Sequence, residues 1–156
     1  MNGRAVPSSS GPLSVTLVGT WELVSREDHT GSGERRIDAA LGENPIAILM
    51  YDRGGHFAAQ FMKRDRTRVL ATEAAPATHN NSRAQGGYDA YFGTYTTDDV
   101  GNTVTQTLVG ALSPENVGHV LTRTMTVVDD ELAIQLETTT PNGEPITRCL
   151  RWRRVG

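Results

Sequence analysis

The stretch Gly118–Thr139, GHVLTRTMTVVDDELAIQLETT, decides the fold. It holds two runs of β-forming residues, Gly118–Val128 and Glu131–Thr139, separated by Asp129-Asp130. In the first run His119, Leu121, Arg123, Met125 and Val127 share one face, and Val120, Thr122, Thr124 and Thr126 share the other. Strict alternation of this kind marks a pleated, half-buried strand. The larger apolar set puts the Leu121 face inside. Arg123 then enters the interior beside apolar neighbours.

The same texture runs through most of the chain. Further β-rich runs are Leu17–Asp28, Ile46–Asp52, His56–Lys63, Tyr91–Thr97, Thr103–Gly110 and Ile146–Arg154. Turn chemistry separates them: Asp52-Arg53-Gly54-Gly55, Asp98–Asn102, Ser113–Asn116 and Asn142-Gly143. Eight strands joined mostly by hairpins form a meander, and a meander of this length closes on itself to remove its unpaired edges. The predicted fold is all-β: an eight-stranded antiparallel up-and-down barrel. Two insertions interrupt it, residues 29–45 and 64–90. In the second, a cap at Asn80, Asn81 or Ser82 and the spacing of Tyr88, Tyr91 and Phe92 predict a short helix from about Arg83 to Tyr91. It would be a lid between the third and fourth strands.

The chain has 156 residues, which suits one domain. Residues 1–12 read as a mobile tail and 13–156 as the barrel. A net charge of −3 argues against nucleic acid as a partner. No apolar run is long enough to span a membrane, and the N-terminus lacks the apolar core of a secretory signal. The expected compartment is therefore the cytoplasm. Cys149 is the one cysteine, so an internal disulfide is excluded; inside the last strand it reads as a small buried hydrophobe. Histidines 29, 56, 79 and 119 have no metal-ligand spacing, and no nucleotide-binding or nucleophile-elbow motif is present. The expectation is no metal and no cofactor. Glu27 and Asp28, with Arg35-Arg36, read as a solvated surface patch.

Five stretches, in order, resemble the bacterial and fungal lipocalin-like domain family of calycin-type β-barrels. They are Leu17-Val18-Gly19-Thr20-Trp21-Glu22-Leu23, with its Gly-x-Trp motif, Leu41-Gly42-Glu43-Asn44-Pro45, Ala59-Gln60-Phe61-Met62, Ala90-Tyr91-Phe92-Gly93-Thr94-Tyr95, and Leu150-Arg151-Trp152-Arg153-Arg154-Val155. The resemblance spans roughly residues 16–155. It implies that Gly19 and Trp21 are structural, with Trp21 closing one barrel end. An arginine of the last strand, Arg151 or Arg153, would stack on the indole, and Arg153 is the choice carried forward. Barrels of this kind elsewhere carry hydrophobic ligands or catalyse cofactor-free cyclisations and isomerisations, so the resemblance implies a hydrophobic small-molecule ligand.

Candidate site residues follow from the faces. Arg123 offers a fixed fork of donors for a carboxylate, enolate or carbonyl, unless an internal acid such as Glu137 pairs with it. His119, next to a turn near a barrel mouth, can exchange protons near neutral pH. Tyr91 and Tyr95 share a face, and Tyr95 is the candidate hydroxyl for polarising a carbonyl. Gln60 lines the pocket if its face points in; otherwise Phe57 and Phe61 form that wall. Met50, Met62, Phe61, Leu121 and Met125 complete the expected lining. Arg123, His119 and Tyr95 are thus the catalytic candidates. The reading favoured is a cofactor-free cyclase or isomerase of a polyketide-like molecule, with a passive carrier as the alternative and a filled barrel acting as an interaction module as the third. A homodimer is a partner state the sequence allows.

Overall fold

The computed structural model describes residues 11–66 and 80–156. Eight antiparallel strands close into a barrel: β1 (Gly19–Thr30), β3 (Ile46–Tyr51), β4 (His56–Met62), β5 (Tyr88–Asp98), β6 (Thr103–Ala111), β7 (Val120–Val128), β8 (Glu131–Thr139) and β9 (Pro145–Arg154). Each pairs with the next along the chain, and β9 returns to β1. A two-residue strand, β2 (Arg35–Arg36), extends the sheet beside Asp28 and His29. The strands sit within a few residues of the alternating runs, because alternation and turn chemistry both constrain them.

The barrel end that holds the start of β1 is closed. A single helical turn, α1 (Leu13–Thr16), leads to Leu17, which is fully buried with Trp21. The Trp21 indole donates to the Leu17 carbonyl at 3.0 Å. Arg154 stacks on the ring at 4.3 Å and donates to the carbonyls of Val18 and Thr16 at 2.7 Å each. The stacking cation is therefore Arg154, not Arg153. Alternation points Arg153 outward, where it pairs with Glu22 at 2.5 Å. Gly19 has φ +146°, and a Cβ there would lie 2.5 Å from Arg154 Nη1. A side chain at this position would displace the stacked guanidinium.

The helix predicted over 83–91 is absent. Gly86 and Gly87 both take positive φ (62° and 72°), and the chain turns back so that Gln85 bridges to Tyr88. Two consecutive glycines supply a tight turn at low steric cost and make a poor helix interior. Strand β5 therefore begins at Tyr88, three residues before the expected run. Residues 67–79 of the same insertion, and 1–10 of the expected tail, lie outside the described residues.

One irregularity changes what the interior contains. Between Leu23 and Ser25 the pairing of β1 with β9 shifts by one residue. Such a bulge reverses the facing of all that follows. Trp21 and Leu23 face in before it; Arg26 and Asp28, at 6% and 5% exposure, face in after it. Asp28 is thus an interior residue, not part of a surface patch.

Candidate functional site

The barrel encloses a cavity of about 300 Å³, which reaches the mouth formed by residues 36–41 and 139–144. Its apolar lining comes from Leu49 on β3, Phe61 on β4, Met125 on β7, Ile134 and Leu136 on β8, and Leu150 and Trp152 on β9. An aromatic chain runs along the wall: Trp152 meets Phe61 edge-on (5.8 Å), Phe61 stacks near Tyr91 (6.4 Å), and Phe57 and Tyr51 continue it. Offset and edge-on rings make a rigid wall.

Four arginines, three aspartates and Glu144 line the same space; Arg36 pairs with Glu144 at the mouth (2.9 Å), which leaves Arg26, Arg123 and Arg148 with Asp28, Asp38 and Asp89. Four of them neutralise one another. Arg148 clasps Asp28 with two bonds of 2.9 and 3.2 Å. Arg26 lies 2.9 Å from Asp38 and 3.7 Å from Asp28. Burial, then the nearby Arg148, pulls the Arg26 guanidinium below its ordinary pKa. Burial alone would push the Asp38 carboxyl up, but Arg26, the Ala40 N–H and Arg148 together hold it down. The group has the pairing that buried charges require.

Arg123 and Asp89 remain outside that network. Arg123, 6% exposed, donates to Asn80 Oδ1 (3.0 Å) and the Thr122 carbonyl (3.1 Å), and among the described residues no carboxylate pairs with it. Glu137 faces out, so the internal pair with Arg123 does not form. Asn80 also fills the gap where β7 and β8 part: its amide accepts from the Thr122 N–H and donates to the Glu137 carbonyl. Asp89, 4% exposed, accepts a short bond from Ser82 Oγ and has no cation within ion-pair distance among the described residues. Burial raises its carboxyl to about 6, against the opposing pull of Ser82 and the Ala90 N–H. Tyr91 senses both groups; burial, then Asp89, raises its hydroxyl to about 12, while Arg123 and Ser82 oppose the rise. The Trp152 indole N–H, buried on the cavity wall, has no acceptor among the described residues. Buried donors normally find a partner; the Trp152 N–H has no accessible surface of its own, which leaves Arg123 as the donor available to a ligand in the cavity.

The expected site residues divide. Arg123, Met125, Phe61 and Tyr91 line the cavity, and Leu121 faces inward in the adjoining core. His119 is exposed in the loop before β7, against Asn116, and is not on the cavity wall. Tyr95 lies beyond the cavity, its hydroxyl donating to the Asp52 carbonyl at 2.6 Å. Gln60 and Met50 are on the outer face; Gln60 accepts from the Tyr88 hydroxyl at 2.7 Å, and Met62 is half-buried beside Ile46 and Tyr88. Phe57 and Phe61 are the inner wall of β4. Cys149 is exposed rather than buried, because Arg148 and Leu150 take the inward positions of β9. Sequence reasoning missed Tyr51, Gln106, Asp89, Trp152 and the Arg26–Asp28–Arg148 group. Gln106 between Val104 and Leu108, and Arg148 two residues before Leu150, were readable from alternation.

A closed eight-stranded meander around a cavity with an apolar wall, entered from one end, is the calycin arrangement. The model of the lipocalin-like domain matches residues 18–155. The chain belongs to the lipocalin-like domain family. No curated protein matches it. In a lipocalin-like barrel the interior is where a small hydrophobic ligand binds, and the cavity here has the size and wall for one. Among the described residues, no helix is long and apolar enough to cross a membrane.

Proposed function

We propose that this barrel binds a largely apolar small molecule carrying a carboxylate, enolate or carbonyl oxygen, and converts it without a cofactor by cyclisation or isomerisation. The observation that carries this reading is Arg123: a buried guanidinium that lines the cavity beside its apolar wall and lacks an acidic partner among the described residues. A buried charge of that kind is costly unless something pairs with it, and an oxyanion of the ligand is the natural partner. The aromatic wall would hold the apolar body, restrict its conformers and exclude water, which accelerates an intramolecular reaction without a nucleophile. A polyketide-like chain with a carbonyl handle is the substrate class that uses all of these features.

A passive carrier needs the same pocket. One observation favours it: His119 and Tyr95, the residues expected to take part in chemistry, are not on the cavity wall. The two readings separate by mass spectrometry. Protein isolated from its native host is analysed intact for a bound small molecule, which is then released and incubated with fresh protein. The enzyme reading expects conversion to a product of equal mass. Quantitative recovery of the unchanged molecule selects the carrier, and a chain that carries nothing and takes up no linear polyketide refutes both.

A further inference from the structure

Among the described residues, Asp89 is the cavity carboxylate with no ion-pair partner, and it shares that cavity with Arg123, the guanidinium likewise left without one. We propose that Asp89 is the proton-transferring group of the site, acting on the carbon next to a ligand carbonyl whose oxygen rests on Arg123. This deepens the isomerase reading and rests on it. In the step, the Asp89 carboxylate takes a proton from that carbon. The C–H electron pair moves toward the carbonyl, and the resulting enolate oxygen is held by the Arg123 guanidinium. The proton on Asp89 then goes to a second carbon of the same conjugated system. The product has equal mass, and no oxidant, reductant or other reactant enters.

Geometry carries the assignment. Asp89 points inward from β5, two residues before Tyr91, and both line the cavity. Its hydrogen bond from Ser82 fixes one oxygen, Oδ2. The groups that surround it are Tyr91 on its own strand, Ser82 in the preceding segment, Arg26 on β1 and Asp38 in the loop before β3. Arg26 is already committed to Asp38 and Asp28, so it does not neutralise Asp89. A carboxyl that ionises near 6 is a stronger base than an ordinary surface aspartate and is still mostly ionised at neutral pH. An oxyanion site and a base on the wall of one cavity are the two groups that enolisation requires.

The test uses 2-tetralone, an apolar ketone with acidic C–H bonds beside its carbonyl, and the full chain in D2O. Binding is read by calorimetry and exchange at the ketone's C1 by NMR. The expected result is binding at millimolar concentration or tighter. Exchange should exceed buffer background, rise with pH through about 6, and fall at least tenfold in Asp89→Asn while the affinity changes less than threefold. His119→Ala should exchange at the wild-type rate. Binding without protein-dependent exchange, or exchange that survives Asp89→Asn with an unchanged pH profile, overturns the role of Asp89 and leaves the ligand reading standing. Failure of 2-tetralone to bind at all counts against the ligand reading itself, and the assignment of Asp89 falls with it. If Asp89→Asn does not fold, the wild-type pH profile decides: a rate that is flat between pH 5 and 8 overturns the proposal.

Discussion

At the closed end of the barrel, the polar groups around Trp21 all have protein partners: the indole has the Leu17 carbonyl, and Arg154 has the ring, Val18, Thr16 and Asp130. Inside the cavity, Arg123 lacks an acid, Asp89 lacks a cation and the Trp152 N–H lacks an acceptor among the described residues. The cavity groups are the more deeply buried, with Arg123 and Asp89 at 6% and 4% exposure against 26% for the Arg154 side chain, so solvent does not stand in for the missing partners. One region is finished by its own side chains, and the other leaves donors and an acceptor for something else to complete. Substitutions should therefore act in opposite directions: loss of stability where groups are satisfied, at the closed end and in the paired Arg26–Asp28–Arg148 network of the cavity, and gain or neutrality at Arg123 and Asp89, which are not.

The largest effect is expected for Trp21→Ala, which empties the closed end and strips Arg154 of its stacking partner. A loss of about 3–5 kcal/mol in denaturant unfolding fits a buried tryptophan; a loss under 1 kcal/mol would mean that this end is not a packed floor. Asp28→Ala should cost a comparable ~3–5 kcal/mol, since it leaves Arg148 and Arg26 buried without their shared carboxylate. Adding Arg148→Met to that variant should restore part of the loss, and a strictly additive double variant would break the account of the pair.

Asp89→Asn should do the reverse. The fold raises this carboxyl from 3.8 to about 6, so the native state holds its proton more tightly than the unfolded chain does. Stability from this group is complete below pH 4 and is lost as pH rises through 6. Removing the charge should stabilise the protein by about 3 kcal/mol at pH 8, a shift of about two units, and by nothing at pH 3.5. Stabilisation that is equal at both pH values would contradict the assigned ionisation. The smallest effect belongs to Arg153→Ala, which removes an exposed pair with Glu22 and should change stability by less than about 1 kcal/mol. If Arg153→Ala costs more than Arg154→Ala, the choice of stacking arginine is wrong.

The fold was legible because two independent signals agree: alternation along each strand and turn residues between them. Arg123 was legible for the same reason, since Leu121, Met125 and Val127 fix its phase. Arg26 and Asp28 were hidden by a bulge, which no residue type announces and which reverses facing by one position. Met50 and Gln60 were misread because β3 and β4 have apolar residues on both faces: Ile46, Ile48 and Met50 point out while Ala47, Leu49 and Tyr51 point in. Asp89 was lost when Tyr88, Tyr91 and Phe92 suggested helical spacing; a period-2 reading from Tyr88 onward places Asp89 and Tyr91 on one face. His119 had the right end of the barrel but not the inner face, because it precedes the strand proper and is held by Asn116.

An anionic or carbonyl-bearing ligand seated on Arg123 would complete the interior. Calorimetric titration of the wild type and Arg123→Leu with 2-naphthylacetate, an apolar body with a single carboxylate, tests it most directly. The expected result is one site per chain and a loss of at least tenfold in affinity in Arg123→Leu, with stability unchanged or improved. Equal affinity in the two proteins, with both folded, would contradict it.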